Sequence, residues 1–223
     1  MRMAELLRAV EIETGGKARA SILWLHGLGA DGHDFEPIVP HLGLEGRGVR
    51  FVFPHAPRRA VTINMGLLMP AWFDIREQDF SAQVDDIGIR ASAAQVEALL
   101  TRERERGVPA ERIVLAGFSQ GGVIALHVAL RFKERLAGAI GLSTFLPQAV
   151  TQPGELSQEN AALPVFLAHG DEDPLIPLPW AQHARDRLVA LDHPVVWKTY
   201  PMEHQVCAEE IADLATWIGQ RLG

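Results

Sequence analysis

The chain of 223 residues holds one cysteine, Cys207. A lone thiol excludes an internal disulfide and fits a reducing compartment; close to the C-terminal helical pattern it reads as a small packing residue. Long apolar runs are missing too, and nothing approaches the roughly 18 consecutive apolar residues of a membrane span. The start, Met1-Arg2-Met3-Ala4-Glu5-Leu6-Leu7-Arg8, carries an acid inside its short apolar stretch and lacks a signal-peptide core and cleavage site. We therefore expect a cytoplasmic protein with no stable membrane insertion. Basic residues are in deficit, 21 Lys and Arg against 28 Asp and Glu, for a formal charge of -7. That balance argues against nucleic acid and anionic surfaces as partners, because phosphate binding needs clustered cations. The densest charge run, Arg102 to Arg106, alternates in sign and stops at Gly107 and Pro109, so it reads as the solvated end of a helix. No internal repeat or low-complexity linker is present, and the expectation is one domain over residues 1–223.

What is there is alternation. Nearly continuous apolar runs at 21–25, 50–53, 112–116, 136–142, 165–168 and 195–200 suit strands buried on both faces. Helical patterns over 81–106, 120–132, 178–191 and 208–222 lie between or after them. The combination predicts an α/β fold, a mostly parallel central sheet flanked by helices on both faces. Two stretches, 58–80 and 143–164, break the alternation, and loops of that length are commonly lids or binding walls.

The most informative stretch is Gly117-Phe118-Ser119-Gln120-Gly121, directly after the apolar run 112–116. A strand that turns sharply into a helix while holding up one hydroxyl forces its central residue into strained geometry. It tolerates only small residues two positions to either side. Ser119 is thus a candidate nucleophile. Gly27-Leu28-Gly29-Ala30-Asp31-Gly32 satisfies the dinucleotide pattern GxGxxG, but the next strand ends Phe53-Pro54-His55 without a ribose-binding acid, and Pro37 and Pro40 interrupt the following helix. Those glycines serve better as a side-chain-free loop whose backbone N–H groups approach an oxyanion.

A serine nucleophile needs a base, and the base needs an orienting acid. The strand at 165–168 runs into His169-Gly170-Asp171-Glu172-Asp173-Pro174, and the last strand into Pro201-Met202-Glu203-His204-Gln205. The order serine, acid, histidine is that of an α/β-hydrolase. Asp173 is preferred to Asp171 because it lies past the turn, where the loop heads back over the sheet edge. His204 is the expected base. His127 reads as packed, and His33, His41, His55, His183 and His193 as surface or turn residues. No spaced ligand set for zinc or calcium is visible, so no metal or organic cofactor is expected.

These segments, with Leu25-His26-Gly27-Leu28-Gly29-Ala30-Asp31-Gly32, Met69-Pro70-Ala71-Trp72-Phe73-Asp74 and Tyr200-Pro201-Met202-Glu203-His204, together resemble the phospholipase/carboxylesterase family of α/β-hydrolases. That group includes bacterial carboxylesterases and acyl-protein thioesterases. The resemblance covers nearly the whole chain and implies a triad of Ser119, Asp173 and His204, with an oxyanion hole from the backbone N–H groups of Leu28 and Gln120. It also implies that the loop 66–72 borders the acyl pocket, with Leu67, Leu68, Met69, Trp72, Phe145 and Leu146 as candidate substrate-binding residues; from the residues alone, that loop could equally cap the core. Glu203 departs from the pattern, where a small residue usually precedes the histidine. Near the imidazole it would favour the charged form, whereas in water it would do nothing.

The expected reaction is hydrolysis of carboxylic esters with small to medium acyl chains through an acyl-enzyme. The alternative is an acyl-protein thioesterase or lysophospholipase acting on long chains, and a third reading is a non-catalytic binding protein on the same scaffold. The expected partner is a small-molecule ester or thioester, and an exposed apolar helix face would permit a homodimer.

Overall fold

The computed structural model describes residues 6–77, 84–152 and 154–223. Seven strands form one sheet in the order β1 (Ala9–Glu13), β3 (Val49–Pro54), β2 (Ala20–Leu25), β6 (Ile113–Phe118), β7 (Gly138–Leu142), β8 (Val165–Gly170), β9 (Val195–Tyr200). All neighbours pair in parallel except β1, which runs antiparallel to β3 with Val10 opposite Phe53. β1 was not among the expected strands, because it alternates apolar and acidic residues and is only half-buried along an edge. A search for continuous apolar runs passes over it.

The interior strands β2, β3, β7 and β8 are buried at every position, as apolar runs without polar alternation require. Successive side chains of β2 split between the faces. Leu23 and Leu25 join a core packed under α1 (Asp86–Glu105), α2 (Gln120–Ala129) and α3 (Leu178–Val189), while Ile22 and Trp24 join a core under α4 (Ala208–Leu222) and the short helix Glu36–Leu42. Helices on both faces of the sheet make an α/β-hydrolase architecture.

The helix expected over 81–106 begins later, at Asp86; residues 81–83 lie outside the described residues. Asp85 sets the start by accepting the Gly88 N–H at 2.9 Å, and Gly107, with φ 92°, ends the helix. Its charged end is not simply solvated. Glu103 is fully buried and accepts from Ser21 Oγ (2.6 Å), Arg50 Nη1 (2.8 Å) and Arg106 Nη1 (3.0 Å). Burial alone would raise its carboxyl, but those donors outweigh burial and hold it below the usual range. Arg102, half-buried, and Arg106, more exposed, lie beside it and bridge it to Glu11, and the helical period turned Glu103 itself toward β2 and β3.

Within the long stretch 58–80, residues 58–70 form a hairpin of β4 (Arg58–Val61) and β5 (Leu67–Pro70), the turn between them including Met65 at φ 57°; residues 78–80 lie outside the described residues. His193, expected as a surface or turn residue, directly follows the turn at 191–192 but is buried, with Nδ1 3.3 Å from the Leu163 carbonyl.

Candidate active site

Ser119 follows β6 directly and precedes the first turn of α2. Its φ of 54° and ψ of -121° lie in a region that L-residues avoid, at a cost on the order of 1–3 kcal/mol. The flanking glycines make the bend feasible. A Cβ on Gly117 would meet Gly122 N at 2.6 Å, and one on Gly121 would meet the Leu25 carbonyl carbon at 2.7 Å. Two bonds hold the strained residue: Ser119 N–H donates to the Leu142 carbonyl (2.8 Å) at the end of β7, and Thr144 Oγ1 donates to the Ser119 carbonyl (2.7 Å).

Past β8, the acid turn folds back on the loop after β9. The N–H groups of Asp171 and Glu172 donate to the carbonyls of Tyr200 (3.0 Å) and Met202 (3.2 Å). Gly170 allows this approach, because a Cβ there would meet the Met202 carbonyl carbon at 2.9 Å and the adjacent carbonyl oxygens closer still. The result is His204 Nδ1 at 2.7 Å from Asp173 Oδ2. A carboxylate only accepts, so Nδ1 carries the proton and Nε2 is the basic nitrogen. Burial alone would raise the Asp173 carboxyl. The bonds from His204 and from the N–H groups of Ile176 and Leu175, both 2.9 Å to Oδ1, outweigh it and leave the group below its usual range. Asp171 is exposed, away from this contact.

A second histidine supports the acid. His169 is fully buried; its Nε2 donates to the Ile176 carbonyl at 2.7 Å and lies 3.4 Å from Asp173 Oδ2. Burial lowers its pKa, so it stays neutral and clasps the turn that carries Asp173. The sequence signal for it was its position at the end of β8, which marked the turn and not the ring. Glu203 is exposed and forms no ion pair with His204 among the described residues.

The loop after β2 faces Ser119. Gly27 lies so near that a Cβ would be 3.5 Å from Ser119 Cβ, and Gly29, at φ 79°, donates its N–H to the Pro70 carbonyl (2.9 Å). Beneath the loop runs a buried polar chain. His26 Nδ1 donates to the Gly27 carbonyl (2.7 Å), and its Nε2 accepts the Ala56 N–H (3.1 Å). Trp72 Nε1 donates to the His26 carbonyl (2.9 Å), and the Gln120 side chain accepts the Trp72 N–H (2.7 Å) and donates to the Phe73 carbonyl (2.6 Å). Gln120 thereby ties the start of α2 to the segment after β5. Its own N–H belongs to the first turn of that helix, where amides have no intrahelical acceptor. The glycines of the GxGxxG pattern are used here, and the chain continues into the short helix Glu36–Leu42 in place of a dinucleotide-binding helix.

A cavity of about 330 Å³ brings Ser119, Gln120, Leu28 and His204 together. Its wall is largely apolar, with Ala30, Ile63, Ile75, Phe118, Phe145, Leu175 and Ile176, and its other polar members are Asp34 and Asn64. Phe145 is the one candidate substrate-binding residue in the wall. Trp72 is fully buried as a pillar beneath the loop, and Leu146 is core. Leu67 and Leu68 project from the hairpin into solvent, 57% and 65% exposed, and Met69 is half-buried with its sulfur on Asn64 Nδ2 (3.2 Å). Leu175 and Ile176, which immediately follow the acid turn, were not singled out from the sequence, although their place beside Asp173 was a usable signal. Among the described residues no group of three or more His, Cys, Asp or Glu gathers as a metal-ligand set.

Residues 8–222 match the model of the Phospholipase/Carboxylesterase family. Acyl-protein thioesterase 1 of Neurospora crassa is 36% identical, the alignment covering 99% of this chain and 95% of that protein. Acyl-protein thioesterase 1 of Cryptococcus neoformans is 34% identical over 99% of this chain and 100% of that one. Among solved structures, Zea mays acyl-protein thioesterase 2 superposes with a TM-score of 0.85 at 29% identity, covering 97% and 99% of the two chains. Arabidopsis thaliana SOBER1 gives 0.85 at 29% identity over 92% of this chain and 100% of its own.

Proposed function

Because the chain belongs to the phospholipase/carboxylesterase family of α/β-hydrolases and is a serine-hydrolase type of enzyme, we propose that it cleaves carboxylic esters of small to medium acyl chains, with Ser119, His204 and Asp173 as its triad. The observation that carries this reading is the 2.7 Å bond from His204 Nδ1 to Asp173, with Ser119 and His204 in the wall of one cavity.

In this mechanism His204 Nε2 takes the proton of Ser119 Oγ as that oxygen bonds to the carbonyl carbon. The carbonyl electron pair moves onto oxygen, where the N–H groups of Leu28 and Gln120 stabilise it. Collapse of the tetrahedral intermediate breaks the bond to the leaving alcohol or thiol, which receives its proton from His204. Water, deprotonated by His204, then attacks the acyl-enzyme carbonyl, and collapse breaks the bond to Ser119 Oγ, which takes that proton back from His204 as the acid leaves. Asp173 remains ionised throughout and stabilises the imidazolium that forms twice per cycle.

The size of the cavity supports the shorter chains. About 330 Å³ with a largely apolar wall takes a short acyl chain together with its leaving group, whereas the far end of a much longer chain would have to run out through the open side of the cavity. The long-chain thioesterase reading is favoured by the names of the fungal relatives and by the exposed Leu67 and Leu68 on the neighbouring hairpin. A rate profile on p-nitrophenyl esters from acetyl to palmitoyl separates the two by the position of its maximum. Ser119→Ala is expected to lose about 10⁴-fold or more in kcat. Turnover retained in that variant overturns the triad assignment.

A further inference from the structure

Resting on that reading, we propose that Asp34 makes the cavity selective for esters and thioesters whose leaving group carries a positive charge. Among the described residues, Asp34 alone brings a carboxylate to the cavity wall, and none of them gives that carboxylate a hydrogen bond or ion pair. Nearby acids find partners inside the fold: Asp31 accepts the His33 N–H at 2.8 Å, and Glu36 bonds the His33 ring. Asp34 instead stands at the edge of the largely apolar cavity, open to water and only partly desolvated. Burial raises its carboxyl, the His26 ring opposes that rise, and the like charge of Asp31 adds to it. A cation on the substrate would supply the missing counter-charge.

The aromatic packing indicates which half of the substrate Asp34 meets. Its neighbour Phe35 packs on Phe118 (ring centroids 5.7 Å apart), and Phe118 packs on His204 (4.8 Å). Asp34 also lies just before the short helix Glu36–Leu42, which packs against α4, the helix that follows His204, and Asp34 and His204 both line the cavity; this sets Asp34 toward the histidine side of Ser119. That is where the leaving group must sit to receive its proton from Nε2. The matching chemistry is an ammonium or guanidinium a few bonds from the scissile ester. It could be carried by an amino-alcohol ester or by a basic residue beside an acylated cysteine.

The test compares kcat/KM within two isosteric pairs. The first pair is butyrylthiocholine and its uncharged analogue S-(3,3-dimethylbutyl) thiobutyrate. The second is a short S-butyryl-cysteine peptide with an adjacent arginine and the same peptide with citrulline. The ratio of charged to neutral substrate cancels any loss common to both. Because Asp34 is accessible to solvent, Asp34→Asn is expected to lower that ratio by about two- to fivefold, and Asp34→Lys to lower it further. In the parent enzyme 1 M NaCl should also reduce it. A fall confined to the first pair identifies a small amino-alcohol ester, and one confined to the second identifies a basic peptide. Equal ratios in parent and variants for both pairs overturn the proposal. If p-nitrophenyl butyrate is still cleaved in a Ser119-dependent way, the hydrolase reading survives that result. Without Ser119-dependent turnover of any of these substrates, both readings fall together.

Discussion

Gly170→Ala tests how the acid turn and the histidine loop are held in register. The new methyl carbon would lie 2.9 Å from the Met202 carbonyl carbon, whereas packed carbons keep at least about 3.5 Å. The obstacle is backbone on the opposing loop, so no side-chain rotation relieves it. The loops must part by at least roughly 0.6 Å, and further because the Met202 and Glu203 carbonyl oxygens lie closer still, which would stretch the 2.7 Å bond between His204 and Asp173 to about 3.3 Å or beyond, the margin of a useful hydrogen bond. A misplacement of about 1 Å costs on the order of 10²-fold in rate, so kcat should fall by roughly 10- to 100-fold. KM should change by no more than a few-fold, because the apolar wall is untouched. Overpacking adds a stability loss of about 1–3 kcal/mol, readable by urea denaturation. Gly219→Ala is the control: nothing lies within 4 Å of the added Cβ on α4, so it should stabilise by about 0.5–1 kcal/mol without changing kcat. A Gly170→Ala enzyme that is folded and keeps kcat within threefold of the parent would refute the claim that this close approach sets the register.

Two further expectations concern buried acids. Glu210 on α4 is fully buried, neither carboxyl oxygen has a hydrogen-bond partner among the described residues, and burial pushes its pKa up to about 8. A raised carboxyl pKa contributes stability that is full below the unfolded value near 4.5 and is lost as pH rises through about 8. Glu210→Gln should therefore gain on the order of 1–3 kcal/mol over the parent at pH 8, with the gain vanishing near pH 4; equal differences in urea midpoint at both pH values would contradict this. Glu103→Ala leaves the buried Arg50 guanidinium without its inner partner and should cost about 3–5 kcal/mol. A urea-measured loss below 1 kcal/mol would mean that solvent or Glu13 compensates.

The local demands of the chain were legible without a structure. Gly117, Ser119 and Gly121 announce a strained turn because only small neighbours fit it, and apolar runs without alternation announce strands covered on both faces. The order of Ser119, Asp173 and His204 at three strand ends follows from counting elements, and the fold brings the last two to 2.7 Å. Which way each side chain faces was not legible. Trp72 and Phe145 are both large aromatics on long connecting stretches. One is a buried pillar whose indole N–H is taken by the His26 carbonyl, and the other lines the cavity. Glu103 sits in an alternating charge run, yet helical phase turns it alone onto Arg50 and Ser21. Asp34 carries no motif, and His169, although within the acid-turn motif, gives no sign in sequence that its ring is the buried clasp on Asp173. The sequence by itself determined the buried strands and the long helices, their order and the chemistry offered at the sheet edge, but not the half-buried edge strand β1 or the β4–β5 hairpin. Tertiary structure decided which of those groups meet, because burial and hydrogen-bond partnership depend on contacts between distant segments.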